Sequence, residues 1–226
     1  EAQRLKEEQN RKRLTQATTY EIVQSLMLYR ATNLFGGKFS IDDSNKLVFE
    51  MLCRYFGNDE QFIPLAKSIG VENPTLEKGI LLAGNFGTGK TWFMKLFQQN
   101  QRQVFWVKNT KSIADEFMEF GESGMEQYEE LKKNAVNDSS VFYQKYSGIC
   151  LDDIGTEDVK THFGNKKNVI GDLIEKKYSN KTTGTFLHGT TNLTAEQLKD
   201  FYGSRVTSRM REIFNFIELK GGDRRK

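Results

Sequence analysis

Gly79-Ile80-Leu81-Leu82-Ala83-Gly84-Asn85-Phe86-Gly87-Thr88-Gly89-Lys90-Thr91-Trp92-Phe93-Met94-Lys95-Leu96-Phe97 is the stretch that decides the fold. Its first five residues are an aliphatic run that reads as a buried strand, and the residues after Lys90 read as a helix. Between them, Gly84, Asn85, Phe86, Gly87, Thr88, Gly89, Lys90 and Thr91 match G-x-x-x-x-G-K-[ST] in full, with strand and helix where the motif needs them. A triphosphate carries several negative charges, and successive backbone N–H groups at a helix start form a concave anion site. Glycines let that backbone curl without a Cβ in the way. Lys90 places a cation on the β and γ phosphates, and Thr91 offers a hydroxyl to Mg²⁺. The sequence therefore predicts a nucleoside triphosphate site, with ATP and Mg²⁺ as its occupants.

Such a loop needs a metal partner. Ser147-Gly148-Ile149-Cys150-Leu151-Asp152-Asp153 is an apolar run ending in two carboxylates. Asp152 is placed to hold Mg²⁺ through water, and Asp153 falls where a carboxylate polarises an attacking water. Taken alone, two Asp residues would simply begin a turn; coupled to the loop, they read as the metal and catalytic pair.

Working outward, residues 78–226 alternate short apolar strands with helices, the pattern of a parallel sheet covered on both faces. Five strands are expected, at residues 80–83, 104–107, 149–151, 185–191 and 214–219. Helices are expected at Ile113, Phe117 and Phe120, at Met125, Tyr128 and Leu131, and at Val169, Ile170, Leu173 and Ile174. Thr194 with Gln197 forms a capping box for the next helix. The fourth strand ends in Thr190-Thr191-Asn192, unusually polar for a central strand. Asn192 either bonds the γ phosphate or attacking water, or belongs to a turn that caps the following helix; spacing alone leaves both open. Arg205 and Arg209, four residues apart, share one face of a short helix that Ser204 can cap, with Val206 and Met210 on its buried side. They are either solvated or reach the nucleotide of a neighbouring subunit.

Residues 1–77 read as a helical N-terminal extension. Residues 1–13 are a dense run of mixed charge. Ile22, Val23, Leu26 and Met27 recur at helical spacing. Leu47, Val48, Met51, Leu52 and Tyr55 form one face of a second helix, with Asp42, Asp43 or Ser44 as its cap and Gly57 as its stop.

The bulk properties bound this picture without deciding it. The chain has 226 residues, a net charge of +3, 17 Phe and 8 Tyr. That suits one α/β domain with a small extension. Two cysteines far apart and two lone histidines exclude a disulfide framework and a zinc site, and point to a reducing, cytoplasmic compartment. No run approaches the ~20 apolar residues of a membrane span. The charged first residues do not form a signal peptide. The chain begins at Glu1 rather than Met, which leaves room for a partner-binding part upstream.

Four segments in this order, GNFGTGKT (84–91), CLDDIGTE (150–157), TTNLT (190–194) and YGSRVTSRMRE (202–212), resemble AAA+ ATPases of the DnaC type, which load replicative helicases. The IstB-type transposition ATPases share the same domain and are the alternative. The resemblance covers about residues 78–226. It implies an α/β P-loop fold with a five-stranded parallel sheet and no C-terminal lid domain. It implies that residues 84–91 are Walker A, Asp152 and Asp153 Walker B, and Asn192 the sensor 1 residue. Arg205 and Arg209 would be presented across a subunit interface, and Arg224 would be a terminal phosphate sensor. It also implies ATP-dependent homo-oligomers on single-stranded DNA, with a replicative helicase or, in the alternative, a transposase as client. Many AAA+ proteins carry Glu where this chain has Asp153, so slow hydrolysis is expected. The Lys- and Asn-rich stretch 161–181, with Lys160, Lys166 and Lys167 near phosphates and Phe163 or Tyr178 stacking a base, is the candidate DNA contact; a solvated helix is the plainer reading.

Overall fold

The computed structural model describes residues 19–36, 39–100, 102–129, 148–158, 160–162, 165–179 and 187–225. In chain order its elements are α1 (Thr19–Leu34), α2 (Lys46–Phe56), α3 (Phe62–Ser68), β1 (Gly79–Ala83), α4 (Lys90–Phe97), β2 (Phe105–Asn109), α5 (Thr110–Phe120), α6 (Glu122–Glu129), β3 (Gly148–Ile154), β4 (Lys160–His162), β5 (Asn165–Lys167), α7 (Val169–Ser179), β6 (Leu187–Thr191), α8 (Ala195–Ile213) and β7 (Phe214–Glu218). Strands β2, β3, β6, β1 and β7 lie side by side in that order, every neighbouring pair parallel. The expected five-stranded parallel sheet is present, flanked by helices.

The period of two along each strand sorts its side chains between two cores. Ile80, Leu82, Phe105, Cys150, Ile217 and Leu219 face one side, where α1 to α4 bring Met27, Leu52, Phe56 and Phe97. Leu81, Ile149, Leu151, Leu187 and Phe214 face the other, where α5 to α8 bring Ile113, Phe117, Ile170, Leu173 and Leu198. Strands buried on both faces read as continuous apolar runs rather than alternating ones, which is how Ile80-Leu81-Leu82 reads. Polar ties fasten the extension to the sheet. Buried Asn215 on β7 accepts from the Thr75 N–H at 3.0 Å and donates to the carbonyls of Thr75, Lys78 and Gly79 at 2.8, 3.1 and 3.2 Å. Tyr55 donates to the Lys78 carbonyl at 2.7 Å.

Local signals mostly act as expected. Thr194 and Gln197 form the capping box of α8, and Gly57 ends α2. Others depart for visible reasons. The α2 cap position is taken by Asn45 and not by Asp42, Asp43 or Ser44; the Asn45 amide makes no cap bond because it is engaged with the Asp42 N–H and the Ser40 carbonyl. Phe120 is 54% exposed because α5 breaks at Gly121, with φ 63°. Ile22 and Leu47 also lie outside the core. Gly203, with φ 82° and ψ 165°, interrupts α8, so the turns that carry Arg205 and Arg209 form a second helical piece after the kink. The segment before α7 is not helical: β4 and β5 form an antiparallel hairpin in which Lys160 pairs with Lys167 and Thr161 with Lys166. Apolar residues recur at helical spacing only from Val169 onward. Residues 1–13, Leu131, Phe163, residues 134–140 and the start of the fourth strand at 185–186 lie outside the described residues. Among the described residues, no helix is long and apolar enough to cross a membrane. Cys53 and Cys150 are free and buried.

His188 on β6 is fully buried among Tyr55, Phe56 and Phe105, and its Nδ1 accepts the Ile80 N–H at 3.0 Å. Burial, with the Arg102 charge adding to it, pushes its pKa down to about 3. The unfolded chain takes up this proton first, so the stabilisation is complete above pH ~6.5 and is lost as pH falls towards 3. From pH 7 to pH 5 the loss at this one site amounts to about 2 kcal/mol. His188→Gln keeps an acceptor without titrating, and its urea midpoints at pH 7 and pH 5 should differ by correspondingly less than those of the wild type.

Candidate nucleotide-binding site

In a parallel sheet every strand delivers its carboxyl end to the same edge, and at that edge ligands bind in open α/β folds. Here β1 leads into the glycine loop, β3 carries Asp152 and Asp153 just before its last residue, Ile154, and β6 ends in Thr190 and Thr191, followed by Asn192. A cavity of about 760 Å³ opens there, lined by Gly87, Gly89, Lys90, Thr91, Asp153, Asn192, Arg224 and Arg225, with Phe39, Ser40 and Trp92 as a further wall. Its volume falls within the roughly 300–1,000 Å³ usual for small-molecule sites.

The loop's shape depends on its glycines. Gly87 has φ 74°, and a Cβ there would lie 1.9 Å from the Asp223 carboxylate. Gly84 packs on the Leu219 carbonyl, which a Cβ would meet at 2.3 Å. Thr88, almost wholly buried, closes the loop by donating to the Asn85 carbonyl at 3.0 Å. Asn85 and Phe86 are exposed and do not line the cavity.

Lys90 is only 5% exposed. Its ammonium donates to the carbonyls of Gly84 and Asn85 at 2.8 and 2.7 Å and to Asn192 Oδ1 at 2.7 Å. Burial lowers its pKa, opposed by the charges of Asp153 and Asp152 and assisted by that of Arg225. Asp152, 8% exposed, accepts on one oxygen from Thr91 at 2.9 Å and Thr190 at 2.7 Å. Burial raises its pKa, the two hydroxyls hold it down, and the neighbouring Asp153 raises it further.

Asp153 sits in left-handed backbone, φ 62°, unusual for a non-glycine residue. The register explains why. Leu151 pairs with Gly189 and Ile154 with Thr191, so three steps on β3 face two on β6. This bulge re-aims a side chain at the strand end. It is held by the Asp153 N–H on Thr190 Oγ1 at 2.9 Å, and by Thr110 and Thr156 hydroxyls on the Asp153 carbonyl at 2.9 and 2.8 Å. Asn192 Nδ2 lies 3.4 Å from Asp153 Oδ1. Asn192 therefore bridges Lys90 and Asp153.

Other expected site residues stand differently. Arg224 lines the cavity, but its guanidinium is paired with Asp42 at 2.7 Å. Arg205 and Arg209 do not line it. They share Glu175 of α7, at 2.9 and 3.6 Å, and Arg209 stacks on Tyr178. The Arg205 side chain is 74% exposed.

The sequence reading passed over several contributors. Thr190 had no assigned role, although the polar end of β6 pointed to it. Phe39 and Trp92 form an aromatic wall with Phe35, and nothing local announces that grouping. Glu157, buried, accepts from Tyr202 just before the Gly203 kink and from the Gly155 N–H at 2.9 Å. The donor set suits a hard divalent cation: a hydroxyl and a buried carboxylate touch each other, and both are oxygen ligands. The glycine loop with a buried lysine suits a phosphate chain.

Comparison with solved structures gives the same architecture. The AMPPCP-bound DnaA from Aquifex aeolicus superposes with a TM-score of 0.50 at 15% identity, covering 83% of this chain and 50% of that one. A DNA replication initiation factor gives 0.50 at 13% identity, covering 80% and 48%. The chain thus spans about half the length of these structures, and at such identities the likeness is one of fold alone. No protein-family model matches the sequence, and no curated protein matches it.

Thr190→Val removes the hydroxyl that donates to Asp152 and accepts from the Asp153 N–H. Leaving such groups unsatisfied should destabilise the protein by ~1–3 kcal/mol. Thr190→Ser, which keeps the hydroxyl, should stay near wild type in the same thermal melts.

Proposed function

We propose that the chain binds ATP with Mg²⁺ in this cavity and hydrolyses it, acting in DNA replication as a helicase-loader-type AAA+ ATPase that assembles on single-stranded DNA. The observation that carries this is the convergence of a buried lysine, a hydroxyl–carboxylate pair and a bridging asparagine at one sheet edge. The DnaA with which the fold is shared holds AMPPCP, which fits the same reading.

Each residue has a distinct task. Lys90 exchanges two loop carbonyls for phosphate oxygens; the amides of residues 84–91 cradle the chain of phosphates. Thr91 and Asp152 hold Mg²⁺, which when bound neutralises phosphate charge. Asp153 accepts a hydrogen bond from the attacking water, and Asn192 fixes the distance between that carboxylate and the Lys90 charge. Arg205 and Arg209 lie on α8 outside their own chain's cavity, so they complete the site of a neighbouring copy. That supports a homo-oligomer with the nucleotide at the subunit interface. Arg224, expected to sense the terminal phosphate, lines the cavity with its guanidinium engaged by Asp42.

The division into a helical extension at 1–77 and an ATPase domain at 78–226 is part of this reading; among the described residues, α1, α2 and the sheet share one core. Two free, buried cysteines agree with a cytoplasmic location. Lys160, Lys166 and Lys167 are the proposed nucleic acid contacts, and the backbone pairing puts all three on the hairpin β4–β5. The client is a replicative helicase; recovery of a transposase instead would favour the IstB-type role.

Lys90→Ala should abolish measurable Mg-ATP binding in fluorescence titrations. Asp153→Asn should retain binding and lose ~10²–10⁴-fold in turnover. Arg209→Ala should bind ATP normally but lose the rise of specific activity with protein concentration; kinetics independent of concentration in the wild type would sink the trans arginine.

Replacing Lys160, Lys166 and Lys167 together by Ala should weaken single-stranded DNA binding. The slope of log affinity against log salt should shrink by up to ~2. Light scattering should show ATP, and not ADP, driving assembly on that DNA.

A further inference from the structure

Two segments far apart in sequence meet over the cavity: the loop 39–45 ahead of α2 and the tail 219–225 after β7. The tail lies on the glycine loop. The Leu219 N–H donates to the Ala83 carbonyl at 2.7 Å and the Arg224 N–H to the Gly87 carbonyl at 3.0 Å. The Asp223 carboxylate is packed against Gly87 closely enough to exclude a methyl group. The loop is equally fixed. Asn45 Oδ1 accepts the Asp42 N–H at 2.9 Å, and its amide donates to the Ser40 carbonyl at 3.0 Å.

One side chain joins the two. The Arg224 guanidinium grips both oxygens of Asp42, at 2.7 and 2.8 Å, and donates to Ser44 Oγ at 2.6 Å. This two-pronged geometry is the strong form of an arginine–carboxylate pair. It spans 182 positions of sequence. Arg224 and the Ser44 hydroxyl hold the Asp42 carboxyl well below the usual carboxylate range. Phe39, three residues before Asp42, is a cavity wall. Arg225, the next residue after Arg224, lines the cavity and its charge is felt at Lys90.

We infer that Asp42 and Arg224 form a latch that retains a bound nucleoside di- or triphosphate, with Asp42 as a positioning residue acting through Arg224. The inference rests on the reading of the cavity as a nucleotide site. While the pair is closed, the tail stays on the glycine loop, Arg225 stays over the cavity, and the Phe39 wall cannot swing away. Release requires the pair to open. The partners are 26% and 47% exposed, and exposed ion pairs add little to global stability. The latch therefore acts on release and not on folding.

This assignment opposes the simpler one in which Arg224 contacts phosphate itself. If Arg224 were a phosphate ligand held back by Asp42, freeing it would slow release. If the pair is a latch, breaking it speeds release. The test is stopped-flow release of N-methylanthraniloyl-ADP, with Mg²⁺, from the full chain. Asp42→Asn should release the probe roughly three- to tenfold faster. Arg224→Gln and the double variant should match it, because all three open one contact. Raising salt should bring the wild-type and Asp42→Asn rates together, as expected for a screened pair. Unchanged or slower release in Asp42→Asn, or additive effects in the double variant, would overturn the latch. Lys90→Ala run in parallel separates the two levels: if it leaves probe binding intact, the nucleotide reading itself fails; if it abolishes binding while Asp42→Asn releases normally, only the latch fails.

Discussion

A charged ammonium inside a protein must be met by acceptors, and the burial of Lys90 organises this structure around that need. Its three partners are two loop carbonyls and the side chain of Asn192. The carbonyls come from the turn after β1, and the side chain comes from the end of β6. The charge can be satisfied only if β6 lies next to β1 and runs parallel to it, as it does. With β3 on the far side of β6, Asp152 and Asp153 reach the same edge and oppose the desolvation of the lysine. Strand order, strand direction and the chemistry of the edge are thus one constraint seen three ways.

What was legible in the sequence follows the range of the forces involved. The glycine loop, the capping box at Thr194 and the strand ending in Asp152 are local patterns, each set by residues within a few positions of one another. They appear where the pattern places them. The hairpin at 160–167 was misjudged because the helical period begins only at Val169, and the lysines before it look the same on a helix or a strand. Asp42 is one of three candidate caps in the sequence, with Asp43 and Ser44, a reasonable role for Asp before an apolar run. Its actual partner is Arg224, at the other end of the chain, and no local signature announces a pairing across the whole sequence. The aromatic wall of Phe35, Phe39 and Trp92 was hidden for the same reason.

Thr190 shows an intermediate case. Its polarity at the end of a central strand signalled that something must satisfy it, but not what. In the structure one hydroxyl serves two carboxylate-bearing residues, donating to the Asp152 side chain and accepting from the Asp153 backbone. A hydroxyl can do both at once, whereas an amide of similar size would need two separate atoms. That fits the choice of Thr at a position squeezed between two strands.

The shortness of Asp153, a reason to expect slow hydrolysis, also has a backbone side. The bulge adds one residue to β3, and the left-handed conformation it imposes turns the chain at Asp153 itself. That conformation costs ~1–2 kcal/mol for a residue with a Cβ. Thr190, Thr110 and Thr156 each contribute a hydrogen bond that fixes it, so the strain is held by two distant segments and by the turn that follows. Glycine would remove the strain but also the carboxylate. Strain retained at a site whose neighbours over-determine it, beside the Asn192 side chain that also bonds the buried lysine, motivates the role proposed for that carboxylate. Glu157 extends the same strand end through Tyr202 to the kink at Gly203, and the arginines of α8 begin two residues later. The backbone that aims Asp153 and the helix that carries Arg205 are therefore linked through the buried Tyr202–Glu157 hydrogen bond.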